Sequence, residues 1–234
     1  MSNFSYELTP KNKLYLALYV ANITGESIAK VKGYISELEQ DESLKTHVRE
    51  NVKTSEMKYI ADIEMMYGRR IGWYALVRSF KPKVLIETGV DKGLGSCILT
   101  SALRKNTEEG FPGYYYGTEL DTRLGYLLKD DYSKYGEILY GDSVESLKKF
   151  EKKIDFFIND SDHSAEYEAL EYQTIKDKLA ENALILGDNA HVTDKLANFA
   201  LETERDFVFF KEEPLNHWYP GAGIGVALNS KSKS

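Results

Sequence analysis

Two acid-rich runs follow apolar stretches in the second half of the chain. Asp160-Ser161-Asp162-His163 comes after Phe156-Phe157-Ile158-Asn159, and Asp188-Asn189 comes after Ala183-Leu184-Ile185-Leu186-Gly187. Each apolar stretch reads as a buried strand, which puts the polar residues at strand ends. Asp160 and Asp188 are 188 − 160 = 28 residues apart, enough for one helix and a return strand. Neighbouring parallel strands lie about 5 Å apart, so Asp160, Asp188 and Asn189 are expected to converge at one rim. Hard oxygen donors on a partly open site suit Mg2+ or Ca2+. The competing reading is that Asp188 and Asn189 simply cap the following helix. His163 has the chemistry of a general base, since an imidazole titrates at about pH 6.5; a local hydrogen bond that orders its loop is the other reading. Asp162 is placed to orient His163 or to contact metal or substrate itself.

A second constellation lies upstream. Val84-Leu85-Ile86-Glu87-Thr88 runs into Gly89, followed by Gly93, Gly95 and Ser96. Glycines let the backbone approach a ligand closely, and the helix that follows points its N–H groups at it. The next strand ends in Glu119-Leu120-Asp121, where an acid is placed to accept from both hydroxyls of a ribose. The third ends in Tyr140-Gly141-Asp142-Ser143; Asp142 suits an adenine amino group, and either Asp142 or Ser143 suits a helix N-cap. A nucleotide-like ligand beyond the strand ends accounts for all of these, and NAD satisfies the ribose feature as well as other nucleotides do.

The elements that must position these residues alternate. Strands are expected at 84–88, 114–119, 137–140, 154–159 and 183–187, with helices near 95–104, 122–129, 143–150 and 165–179. That alternation implies a parallel sheet with helices on both faces. Phe207–Phe210 and Gly223–Leu228 are joined only by a loop, which implies an antiparallel hairpin at the end of a mostly parallel, seven-stranded, Rossmann-like doubly wound sheet. Before residue 81 the pattern is helical. Thr9-Pro10 reads as a cap and first-turn pair, Gly25 as a stop, and Ile28, Val31, Ile35 and Leu38 recur at helical spacing. Further helices are expected over 55–66 and 70–80. The division is a helical extension over 1–80, covering a sheet edge or forming a dimer contact, and an α/β domain over 81–230.

The chain has 234 residues, 42% of them hydrophobic, a net charge of −7 and one cysteine, Cys97. A single cysteine forms no intrachain disulfide and no cysteine-spaced zinc cluster. The negative charge disfavours nucleic acid as a partner, although Arg69, Arg70 and Arg78 are candidates for a local basic patch. Neither a leader nor a membrane-spanning run is read, so a cytoplasmic protein without a membrane partner is expected.

Taken together, the strand-end residues resemble those of the class I S-adenosylmethionine-dependent methyltransferases. Within that class they are similar to catechol-type and caffeoyl-coenzyme A O-methyltransferases, and to antibiotic-sugar methyltransferases with an Asp-x-Asp-His-Ser signature. The resemblance spans about residues 67–228 and is strongest at Asn159-Asp160-Ser161-Asp162-His163-Ser164 and Leu186-Gly187-Asp188-Asn189. It implies that Glu87, Gly89, Gly93, Gly95, Ser96, Glu119, Leu120, Asp142, Ser143 and Asp160 serve S-adenosylmethionine, and that Met66 and Tyr67 wall its methionine end. It also implies a divalent metal on Asp160, Asp188 and Asn189, a base at His163 where catechol-type enzymes carry lysine, and catalytic roles for Asp160 and Asp162. His217, Trp218 and Tyr219, in the loop before the last strand, become candidates for the wall of an acceptor pocket. The expected function is metal-assisted O-methylation of a small hydroxylated molecule by a homodimer. The alternatives are metal-independent transfer with His163 or Asp162 as base, and an NAD-dependent oxidoreductase.

Overall fold

The computed structural model describes residues 5–58, 65–162 and 164–229. Seven strands form one sheet: β1 (Val84–Thr88), β2 (Tyr114–Glu119), β3 (Gly136–Tyr140), β4 (Ile154–Asn159), β5 (Leu179–Gly187), β6 (Arg205–Lys211) and β7 (Gly223–Asn229), in the order β3-β2-β1-β4-β5-β7-β6. β1 to β5 are mutually parallel, and β7 runs antiparallel between β5 and β6. The order reverses between β1 and β4, the place where open α/β sheets bind ligands.

Period-two alternation decides which side chain serves which face. Leu85, Tyr115, Phe156, Ile158, Leu184 and Val226 join one core, which includes the N-terminal helices. Their neighbours Ile86, Tyr116, Phe157, Ile185 and Ala227 join the other. The first core is closed by α1 (Pro10–Thr24), α2 (Ile28–Glu39), α3 (Glu42–Thr54), α4 (Arg70–Phe80) and α5 (Leu94–Glu108). The second is closed by α6 (Ser143–Lys149), α7 (Ala165–Ile175) and α8 (Lys195–Glu202). Among the described residues no helix is long and apolar enough to cross a membrane.

Local signals account for the helix ends. Thr9 accepts the Asn12 N–H at 3.2 Å and Pro10 opens α1, which stops at Gly25 in the left-handed region at φ 74°. Two helical expectations are corrected. Residues 42–54 form α3, capped by Asp41, whereas the helix expected over 55–66 gives turns at 55–58, irregular backbone at 65–67, and a middle that lies outside the described residues. Residues 122–129 form turns, because their N–H groups serve another loop: Gly125 donates to the Asp91 carbonyl at 2.6 Å and Leu127 to that of Lys92 at 3.1 Å. This segment braces the turn after β1.

Arg78 joins no surface patch. Its side chain is buried on α4, donating to Glu37 of α2 at 2.7 Å, to Glu109 at 2.6 Å and to Asn106 on α5, with its guanidinium 4.5 Å from the Tyr34 ring. It ties the N-terminal helices to the helix that follows β1. Arg78→Met should lower stability by about 3 kcal/mol, roughly 6–12 °C in Tm. A calorimetric scan showing a fall under about 2 °C would contradict that role.

Candidate active site

The strand ends are laddered one residue beyond the sheet itself. Gly89 and Val90 donate to the Thr118 carbonyl at 3.1 and 3.2 Å, Gly141 to Glu119 at 2.9 Å, Asp160 to Thr88 at 3.0 Å and Asp188 to Asn159 at 3.0 Å. These bonds hold the rim residues of five strands in register over a cavity of about 850 Å³. Ligand pockets run from roughly 300 to 1,000 Å³, so this one has room for a nucleotide-sized cofactor together with a second small molecule.

On the cofactor side Gly89, Glu119, Leu120, Asp142, Ser143 and Asp160 line the cavity, with Met65 and Met66 on its wall. Gly89 has φ 80°, and a Cβ there would lie 2.1 Å from the Asp160 carbonyl oxygen. The rim therefore closes to this spacing only without a side chain. Glu119 accepts from the N–H groups of Asp91 at 2.9 Å and Asp121 at 3.1 Å, which bridges the β1 turn and its own loop. Asp121 turns away to an exposed pair with Arg123. Asp142 both caps α6, accepting the Glu145 N–H at 2.9 Å, and accepts from the Tyr167 hydroxyl at 2.8 Å. These two donors, Glu145's first, hold its carboxyl below the usual range.

Five of the expected cofactor residues stand behind the wall rather than in it. Glu87 is 1% exposed and accepts from Tyr115, whose hydroxyl lies 2.7 Å from Ser96 Oγ. Gly95 is packed so closely on Glu87 that a Cβ would sit 2.3 Å from its Oε1. Tyr67 is buried with its hydroxyl on the Leu38 carbonyl at 3.1 Å. Gly93 starts α5 in the left-handed region at φ 97°. Glu87, Gly93, Gly95, Ser96 and Tyr67 therefore shape the turn and its backing without lining the cavity.

Sequence reasoning overlooked Glu171, on the buried face of α7. Its carboxylate gathers donors from Thr88 at 3.1 Å, Ser161 at 2.7 Å, Asn159 and Ser143. Burial pushes its pKa up, against the pull of those four donors. An isolated acid on an amphipathic helix gives no sign of such a role.

At the ends of β4 and β5 Asp160, Asp162, Asp188 and Asn189 all line the cavity, as does His191, which sequence reasoning also missed. His191 Nδ1 lies 3.2 Å from the Asp188 carbonyl, and burial lowers the pKa of its ring. His163 lies outside the described residues. Asp162 is exposed and accepts from the Ser164 N–H at 3.1 Å. Of the loop aromatics, Tyr219 lines the cavity; His217 lies against Tyr6, 5.4 Å between ring centroids, and Trp218 is 65% exposed.

The guanidinium of Arg69 lies between the two rim aspartates. Its Nε donates to Asp188 Oδ1, and its Nη2 is 4.0 Å from Asp160 Oδ1. Burial opposes the Arg69 charge, but Asp188, Asp160 and Glu212 outweigh it and leave the pKa raised. Burial and the neighbouring Asp188 drive the Asp160 pKa well up, with Arg69 opposing. The expected metal set is thus already spanned by an internal cation. A divalent ion needs those carboxylate oxygens at its own bonding distance, so the arrangement does not fit one. Among the described residues no group of three or more His, Cys, Asp or Glu side chains is arranged to hold a metal. Arg70 also lines the cavity; its Nε is buried with no hydrogen-bond partner among the described residues, and its guanidinium is 5.5 Å from the Trp73 ring.

Solved structures share this architecture. An S-adenosylhomocysteine-bound methyltransferase from Podospora anserina is 15% identical with a TM-score of 0.57, over 86% of this chain and 94% of that one. An O-methyltransferase from Bacillus cereus in complex with S-adenosylhomocysteine is 12% identical with a TM-score of 0.58, over 79% and 91%. The O-methyltransferase TomG from Streptomyces achromogenes, involved in tomaymycin synthesis and bound to S-adenosylmethionine, is 14% identical with a TM-score of 0.56, over 82% and 91%. No curated protein matches the chain in sequence. The fold is that of the class I S-adenosylmethionine-dependent methyltransferases. Residues 86–190, which carry the β1 turn, Glu119, Asp142, Asp160, Asp188 and Asn189, match the family model described as a methyltransferase domain.

The burial of Glu87 has a measurable consequence. Burial, opposed by the Tyr115 hydrogen bond, raises its pKa from 4.5 to about 7. The folded state therefore binds this proton more tightly than the unfolded chain. The resulting stability is fully present below about pH 4.5, falls as pH rises through about 7, and then levels off. Glu87→Gln should remove this dependence. Between pH 5 and 8 the difference in unfolding free energy, variant minus wild type, should grow by on the order of 3 kcal/mol. Urea titrations at both pH values giving a constant difference would refute the shift.

Proposed function

We propose that the protein transfers a methyl group from S-adenosylmethionine to a hydroxyl oxygen of a small molecule. The observation that carries this reading is the single cavity wall on which Gly89, Glu119 and Asp142 stand at one end and Asp160, Asp162, Asp188 and Asn189 at the other. When bound, S-adenosylmethionine supplies a methyl on a sulfonium sulfur, which the acceptor oxygen attacks so that a C–O bond forms, the C–S bond breaks and its electron pair stays on sulfur.

The residues present suit that cofactor. Glu119 offers carboxylate oxygens to the ribose hydroxyls. Asp142 stands one strand further on, where an adenine amino group needs an acceptor. Arg70, whose Nε has no partner among the described residues, suits the carboxylate of the methionine moiety. Met65 and Met66 supply apolar wall. What remains for the chain is to hold the acceptor in line, exclude water and take the hydroxyl proton. Asp162, which lines the cavity, is one candidate for that last task, and His163 is the other. Tyr219 walls the acceptor end from the hairpin loop, while Trp218 and His217 extend the same aromatic surface outwards.

Calorimetric titration should show S-adenosylhomocysteine binding. Glu119→Gln should weaken it at least tenfold, about 1.4 kcal/mol, without loss of fold by circular dichroism. A wild-type protein that binds NADH and not S-adenosylhomocysteine would defeat the reading.

A further inference from the structure

Asp160, Asp188 and Asn189 stand together at the acceptor end, yet the cation among them is a side chain. Arg69 belongs to the short turn that opens α4. The N–H of Gly68 donates to the Tyr6 carbonyl at 3.0 Å, and that of Gly72 to the Arg69 carbonyl at 2.8 Å, so the backbone on both sides of Arg69 is held. The side chain is 9% exposed and reaches from this turn to the ends of β4 and β5. Its guanidinium lies 6.0 Å from the Trp73 ring. Behind it, Glu212 is anchored by the Tyr6 hydroxyl at 2.8 Å and the Ala222 N–H at 3.0 Å.

A divalent ion at the carboxylates and this guanidinium exclude one another. Both are cations, and at such separations in a buried site their repulsion is large. Moving Arg69 aside strips a buried charge of its partners. The guanidinium also differs from an ion in kind, because it is covalently held, remains charged at every accessible pH and directs N–H donors from a fixed plane.

We propose that Arg69 takes the place of a divalent metal in this enzyme. It is the resident cation held between Asp160 and Asp188, and it presents positive charge to the acceptor oxygen as that oxygen gives up its proton and attacks. Arg69 lines the cavity, so the charge faces the space where an acceptor would lie. The acceptor class that fits is a hydroxyl compound bound through one oxygen to N–H donors, with no need for the vicinal pair that chelation to a metal demands. This inference rests on the methyl-transfer reading for the acceptor's place, but the charge arrangement stands without it.

The test uses the full chain in metal-free buffer, with Mn2+ as probe read by electron paramagnetic resonance and S-adenosylhomocysteine binding measured in parallel. Wild type should bind no stoichiometric Mn2+, and its transferase activity should be unchanged in excess EDTA. Arg69→Met frees the oxygen set; it should bind one Mn2+ per chain, and this site should vanish in the double variant with Asp188→Asn. Stoichiometric Mn2+ on wild type that Asp188→Asn removes would overturn the proposal. So would an Arg69→Met protein that still binds S-adenosylhomocysteine and holds no Mn2+. Should Arg69→Met fail to fold, the wild-type titration decides alone. Absence of S-adenosylhomocysteine binding to wild type would strike the methyl-transfer reading instead, leaving the Mn2+ result to be read separately.

Discussion

Much of this molecule depends on one buried carboxylate. Glu171 takes donors from the end of β1, the end of β4, the loop beyond it and the first residue of α6. Each of those segments carries a residue of the cavity rim, so their relative positions are fixed through a common acceptor. A buried carboxylate is costly unless its lone pairs are filled, and four donors fill them. The price is rigidity: none of the four segments can shift without leaving a donor or the acceptor unpaired, and a rim that must align two molecules benefits from that stiffness.

A second set of constraints acts from the other side of the cavity. The strand of chain around Tyr6 and Leu8 runs between the start of α4 and the segment after β6, with Thr9 donating to the Glu213 carbonyl at 2.9 Å and Leu215 to that of Glu7 at 2.7 Å. These bonds bring Arg69, Glu212 and Tyr219 to the same end of the site although they are far apart in the chain. The N-terminal helices thus share a core with the sheet and also carry part of the cavity: Val48 and Val52 of α3 line it, as do Met65 and Met66.

The sheet was legible because its strands alternate faces and stop at glycines and acids. Leu85 and Ile86, or Phe156 and Phe157, announce two cores, and the loop-joined pair at the end of the chain announces a hairpin. α3 escaped notice because Leu44, Val48 and Val52 are its only buried positions among charged residues, too few to stand out. Residues 122–129 misled in the opposite way: Leu124, Leu127 and Leu128 have helical spacing, yet the backbone donors are claimed by Asp91 and Lys92. The rim acids could be found because strand ends are places where polar residues follow apolar ones. The part played by Arg69 could not, since it depends on where a distant turn docks, and adjacent arginines look like surface charge until their surroundings are known.

The two tryptophans of the chain occupy opposite environments. Trp73 is wholly enclosed, flanked by the guanidinium groups of Arg69 and Arg70 at 6.0 and 5.5 Å, whereas Trp218 stands in solvent on the hairpin loop. The intrinsic fluorescence of the protein is therefore the sum of two separable emitters. Iodide reaches one and not the other, and the shielded one senses the electric field of the two arginines at the cavity wall. The fold carries its own optical reporter: a ligand that rearranges charge at those arginines shifts the blue component, and one that touches the outer loop alters the red.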